Sequence, residues 1–299
     1  MSIIDETLQN IVCVFEAAFP TRIRGYYLNG SQADGTAVDG SDIDITIVFK
    51  ENFIAEEASA ALNIATSLVT RIKSDIEISD EKTLFADPNP VFKLSSRCIF
   101  GTDIREQLPL MPIETWTRDR MHTSYWRIIM LFKRPTPVLL PLYYPDAHDE
   151  FYGYAQTENS TTGELSTRNL VRSVTWAATG LVALKAKQYI TGKKDVHSMY
   201  QRYINDEWAP FIQEIYARCK LAWHYAIPVE KSALRTLCGH TLAFENHFMA
   251  EYKTFLIDEL ETFNATATKQ ALWIVSHVPF EEPSILAAVD GALKHISTH

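Results

Sequence analysis

Residues 28–49 run Leu28-Asn29-Gly30-Ser31-Gln32-Ala33-Asp34-Gly35-Thr36-Ala37-Val38-Asp39-Gly40-Ser41-Asp42-Ile43-Asp44-Ile45-Thr46-Ile47-Val48-Phe49. A short apolar strand, Tyr26 to Leu28, runs into a polar, Gly- and Asp-rich turn from Asn29 to Ser41. A second strand comes next, with Ile43, Ile45, Ile47 and Phe49 on one face because side chains alternate sides. Upstream, Ile4, Leu8, Ile11, Val12, Phe15 and Phe19 keep helical spacing until Pro20 stops the run. Downstream, Ala55 to Ile72 is an alanine-rich helix pattern, Asp75 to Ser79 a short strand, and Arg97 to Phe100, ending at Gly101, another. Helices around a small mixed sheet make this an α+β arrangement.

The remaining chain changes character. Glu114–Lys133, Thr167–Ile190, Asp195–Ile204, Trp208–Tyr225 and Glu230–Leu260 carry helical periods, with Ser166 as a cap and Gly192 as a stop for the second of them. Residues 135–163, rich in Pro, Tyr, Gly and Asp, carry no clear period and read as a long connection. The expected organisation is a catalytic α+β domain over residues 1–110 and an α-helical bundle over residues 111–299, consistent with two cores in 299 residues.

With 46% hydrophobic and 22% charged residues, the composition is that of a globular chain and argues against disorder. The acids of the N-terminal MSIIDETLQN stand where a signal peptide needs a basic start. Cys13, Cys98, Cys219 and Cys238 are scattered without a CxxC pair. Reduced thiols and a cytoplasmic location are therefore expected, with no membrane association. A net charge of −9 weighs against a long nucleic-acid partner.

Asp42 and Asp44, two apart, point to one face of their strand. Two like charges held side by side repel unless a cation lies between them, and hard carboxylate oxygens suit Mg²⁺. Gly30 lets the backbone approach a phosphate closely, and Ser31 adds a hydroxyl donor beside the backbone N–H groups. Asp-Ile-Asp alone reads as a half-exposed strand with two solvated acids. The Gly-Ser pair between two apolar strands turns it toward metal and nucleotide chemistry.

LNGSQADGTAVDGSDIDITIVF resembles the signature of the polymerase-β-like nucleotidyltransferases. The resemblance implies that Asp42 and Asp44 bind metal and that a neighbouring strand supplies a third carboxylate. KSDIEISDE offers Glu77, flanked by isoleucines as in the superfamily, with Asp75 as the alternative. GTDIREQLP and the segment from Arg168 to Cys219 are similar to the streptomycin/spectinomycin-type aminoglycoside adenylyltransferases. By that likeness Lys194 falls where a lysine meets the triphosphate, and the helical domain contacts substrate and nucleotide. The activity this resemblance implies is transfer of AMP from ATP, with Mg²⁺, to a hydroxyl of a small molecule, releasing pyrophosphate. An aminoglycoside acceptor, and with it antibiotic resistance, is the specific form, favoured by the acid-rich connection of Asp146, Asp149, Glu150, Glu158 and Glu164. The alternatives are a toxin-type enzyme modifying tRNA or a protein hydroxyl, and a nucleotide-sensing module without turnover. The oligomeric state is not readable from the sequence.

Overall fold

The computed structural model describes residues 3–38, 41–69, 74–157, 164–262 and 264–298. The chain divides into two compact units, Met1–Pro112 and Ile113–His299.

The first unit runs α1 (Ile3–Ala18), β1 (Ile23–Asn29), α2 (Gly30–Asp34), β2 (Ile43–Phe49), α3 (Ala55–Val69), β3 (Ser74–Asp80), α4 (Glu81–Ala86), α5 (Pro90–Ser95) and β4 (Arg97–Gly101). The sheet order is β3-β2-β1-β4. β1 pairs antiparallel with β2 and β4, while β2 and β3 are parallel and α3 makes the crossover. The mixed α+β fold expected from the sequence is thus present.

Alternation along the strands gives the sheet two unlike faces. On one, Tyr26, Ile45, Ile47, Phe49 and Ile76 pack with Ile11, Phe15 and Phe19 of the α1 segment and Ala61 and Ala65 of α3. The other face is divided lengthwise. Tyr27 and Val48 are sealed under Leu84, Phe92, Ile104 and Leu108. The end that carries Asn29, Asp44, Asp75 and Glu77 lacks such an apolar cover and is half-buried to exposed. Neither α4 nor α5 is apparent from periodicity, because each spans too few turns. Their starts are nevertheless written locally, since the Asp80 side chain accepts from Thr83 N and the Asn89 side chain from Val91 N.

The second unit contains α6 (Ile113–Leu131), a two-stranded β5 (Gln156–Thr157) and β6 (Leu165–Ser166), α7 (Arg168–Ala186), α8 (Val196–Tyr203), α9 (Ala209–Ile215), α10 (Lys231–Glu261), α11 (Ala265–His277) and α12 (Pro283–Thr298). Two boundaries depart from the sequence reading. α7 ends at Ala186, where Lys187 itself takes the left-handed conformation (φ 55°), so Gly192 is not its stop. The Trp208–Tyr225 helix is α9 continued by a π-helical segment, Tyr216–Ala222. Among the described residues no helix is long and apolar enough to cross a membrane.

Candidate active site

The acid-bearing end of the sheet is built by β1, α2, β2 and β3. β2 begins at Ile43, so Asp42 immediately precedes the strand and Asp44 is its second residue. Register places Asp44 between Asn29 of β1 and Asp75 of β3. Thr46, the next residue on that face, lies between Tyr27 and Glu77.

Gly30 opens α2 with φ +58°, a conformation that glycine adopts without penalty. A Cβ on Gly30 would stand 2.4 Å from the Oδ2 of Asp44, so a side chain here would require this carboxylate to shift. Asn29 occupies the N-cap position of α2 but makes no side-chain cap. Its Nδ2 instead donates to Thr46 Oγ1 at 2.8 Å, and Thr46 Oγ1 donates to Glu77 Oε2 at 3.0 Å. The Gly30-Ser31 turn therefore begins without a capping side chain, and Glu77 is braced against the strand beside it. Ser31 is half-buried, and its carbonyl accepts from Gly35 N and Thr36 N, closing the turn.

Asp42 and Asp44 are half-buried and both are engaged with neighbours. Asp75 and Glu77 are exposed on the same strand face. Among the described residues no three His, Cys, Asp or Glu side chains form a ready metal cluster. Magnesium does not need one, because it is commonly held by one or two carboxylates with water and substrate phosphates completing the shell. Asp42 and Asp44, beside the Gly30 turn, fit the carboxylate part of that requirement.

The far end of this face is shut. Tyr27 donates to the Thr102 carbonyl at 3.0 Å and accepts from Ile104 N at 3.1 Å, and burial pushes its hydroxyl up to about 12. The GTDIREQLP segment closes the unit. The Asp103 carboxylate holds Arg105 at 2.6 Å, while Lys93 donates to the carbonyls of Arg105 and Leu108.

Residues 9–103 match the family model described as polymerase beta, nucleotidyltransferase. The first unit carries a polymerase β-type nucleotidyltransferase domain. No curated protein matches the chain. Among solved structures, spectinomycin adenyltransferase AAD(9) from Enterococcus faecialis, determined with ATP and spectinomycin, aligns over 80% of this chain and 98% of its own, at 11% identity and a TM-score of 0.47. A nucleotidyltransferase-like protein from Exiguobacterium sibiricum aligns over 96% and 87%, at 11% identity and a TM-score of 0.30. The toxin–antitoxin MntA-HpeT structure aligns over 42% and 95%, at 18% identity and a TM-score of 0.26.

Other expected residues lie in the second unit, apart from the nucleotidyltransferase domain in the chain. Lys194 is half-buried in a single 3₁₀ turn, Lys193–Asp195, and is engaged with neighbours. Two acids of the connection, Asp146 and Asp149, serve their own loop. Asp146 accepts from His148 N at 2.9 Å, Asp149 accepts from Phe151 N at 2.7 Å, and Glu150 pairs with Lys231 and Arg235. Glu164 is exposed, and Glu158 lies outside the described residues. Sequence reasoning misses Thr46 and Asn29. The available signal is a threonine and an asparagine on the Asp44 face of otherwise apolar strands.

Proposed function

We propose that the chain transfers AMP from Mg-ATP to a hydroxyl of a small molecule. The observation that carries this reading is the Gly30 turn, seated so close to Asp44 that a bound phosphate and a carboxylate-held cation would share one small space. Asp42 and Asp44 are the residues that would hold Mg²⁺. The ion supplies charge stabilisation for the triphosphate oxygens and the leaving pyrophosphate. Gly30 and Ser31 bind the outer phosphates through backbone N–H groups and the Ser31 hydroxyl, and Lys194 is assigned to the triphosphate as a cation. Position and charge supply most of the rate, as in phosphoryl chemistry generally.

For the third carboxylate the sheet register supports Asp75, which stands directly beside Asp44. Glu77, the sequence-based choice, faces Thr46 and accepts its hydrogen bond, one pair further along the strand. With the hydroxyl of Thr46 and the amide of Asn29 behind it, Glu77 is oriented to accept the acceptor's proton.

The test is pyrophosphate release and AMP transfer from labelled ATP to a mixed panel of aminoglycosides, phosphorylated small molecules, tRNA and proteins. Asp42→Asn and Asp44→Asn should each abolish turnover at matched magnesium without unfolding the domain. Asp75→Asn should remove it as fully as Asp44→Asn. Glu77→Gln should retain Mg-ATP binding while lowering the rate by roughly 10²–10⁴. Wild-type turnover in Asp44→Asn would end the proposal, and a mild Asp75→Asn with a dead Glu77→Gln would return the third-carboxylate role to Glu77.

A further inference from the structure

The helical unit carries a concentration of arginine that the proposed chemistry leaves unused. α6 and α7 run antiparallel in close contact, fixed by Thr117 Oγ1 donating to the Ala183 carbonyl at 3.0 Å and Ser124 Oγ to the Trp176 carbonyl at 2.9 Å. Gly180 permits the approach, since a Cβ there would lie 3.1 Å from Met121 Sδ. On α6, Arg120 follows Trp116 by one turn and Arg127 follows Arg120 by two, so the three share a face. On α7, Arg172 precedes Trp176 by one turn. The Arg127 guanidinium lies over the Trp176 ring at 3.9 Å and that of Arg120 over the Trp116 ring at 4.5 Å, so the stripe crosses from one helix to the other.

Carboxylates neutralise this stripe only in part. Asp119 pairs with Arg120, but among the described residues neither Arg127 nor Arg172 pairs with an acid. The partner of Arg172 is the neutral amide oxygen of Asn169, at 3.3 Å. Partial burial, together with Arg120 and Arg172 nearby, holds Arg127 below the ordinary arginine value. A guanidinium stacked on an indole keeps its planar N–H edge for a ligand, and its orientation is already restricted before binding. Two guanidiniums without a paired acid, on a chain of net charge −9, are the reverse of a solvated acidic face.

We propose that Arg127 and Arg172, with Arg120 beside them, form an anion site on the α6–α7 face that binds a phosphate-bearing ligand. The existence of the site does not rest on the nucleotidyltransferase reading.

The experiment uses the full chain and tripolyphosphate as probe, titrated calorimetrically in EDTA so that magnesium-dependent binding is silent. An arginine-dependent site is expected, with affinity falling as salt rises. Arg127→Gln with Arg172→Gln should weaken it about tenfold or more, as loss of charge-assisted hydrogen bonds predicts. Arg127→Lys with Arg172→Lys should recover part of the loss, which also covers the case in which the glutamine pair fails to fold. Asp44→Asn, which stops transfer, should leave probe binding unchanged. Equal affinity in wild type and the glutamine pair overturns the site. A rise in KM for ATP matching the loss of probe binding would identify the bound phosphate as that of the nucleotide. A dead enzyme with normal, arginine-dependent probe binding would instead count against the nucleotidyltransferase reading alone.

Discussion

At Gly30 two demands meet in one residue. Its φ of +58° disfavours any side chain, and the 2.4 Å separation between a built Cβ and Asp44 Oδ2 forbids one unless the carboxylate moves. Gly30→Ala should therefore act on catalysis beyond its effect on folding. Left-handed strain costs about 1–2 kcal/mol, whereas displacing a reacting group by an ångström can lower the rate roughly 10²-fold. Denaturant unfolding and pyrophosphate release on the same preparation separate the two, and a Gly30→Ala enzyme with wild-type rate would show that the close approach is incidental. His122 makes a residue-scale prediction about pH. It is buried, shares a hydrogen bond at 2.9 Å between Nδ1 and Tyr252 Oη, and leaves Nε2 without a partner. Burial, with Arg118 adding to it, lowers its pKa from 6.5 to about 4. The unfolded chain therefore binds the proton first as pH falls. Stability should decline between pH 6.5 and about 4, by on the order of 3 kcal/mol, and this contribution should level off below that range. Unfolding free energies measured across this window for wild type and His122→Gln should differ in slope, and parallel curves would refute the assignment.

Among the elements, the join between β3 and α4 shows how the sheet is held. Asp80 ends β3, caps α4 by accepting from Thr83 N at 2.7 Å, and accepts from Phe53 N at 3.1 Å. Burial pushes its carboxyl up, but these backbone donors outweigh it and hold the pKa below the usual carboxylate range. One side chain thus ties the strand carrying Asp75 and Glu77 to the segment leading out of β2. Asp80→Ala leaves the N–H groups of Thr83 and Phe53 without their acceptor and should cost about 2 kcal/mol in chemical denaturation. Asp80→Asn, which keeps an acceptor oxygen, should cost less. If the alanine variant is as stable as wild type, the strand end is anchored elsewhere.

At the scale of the whole molecule, the two units solve burial differently. The first relies on an apolar core behind its sheet, while the second places an ion pair inside its helices. Arg134 and Glu245 are buried at 2.6 Å. Glu245 also accepts from Tyr154 at 2.7 Å and Ser173 at 2.5 Å, and Arg134 donates to the Ile128 carbonyl at 2.8 Å. Such a pair is weak evidence for net stabilisation, but removing one partner strands the other charge. Glu245→Ala should lower the unfolding free energy by about 3–5 kcal/mol. Arg134→Met with Glu245→Leu should recover most of that loss. A double variant as unstable as Glu245→Ala would show that the hydrogen bonds of Tyr154 and Ser173, rather than the charges, carry the network.

Much of the first unit is legible along the chain, because alternation is a local property. The apolar Ile43, Ile45, Ile47 and Phe49 need only their own spacing to define a face, and that spacing puts Asp44 on the other. The same alternation marks Asp75 and Glu77 as companions but cannot rank them. Which of them stands beside Asp44 depends on how far β3 slides along β2, a relation between two strands joined by a helix. The closeness of Gly30 to Asp44 is of the same kind, since the residues are joined through the pairing of Asn29 with Asp44 rather than through the turn itself. In the second unit, helical periods identify α6, α7 and α10, yet give no sign that Arg127 of one helix lies over Trp176 of another. They also give no sign that Asp146 and Asp149 accept from backbone N–H groups of their own loop. Periodicity encodes which side of an element is apolar; strand register, helix phase and the occupation of each polar group depend on segments distant in sequence and are fixed only when those segments pack.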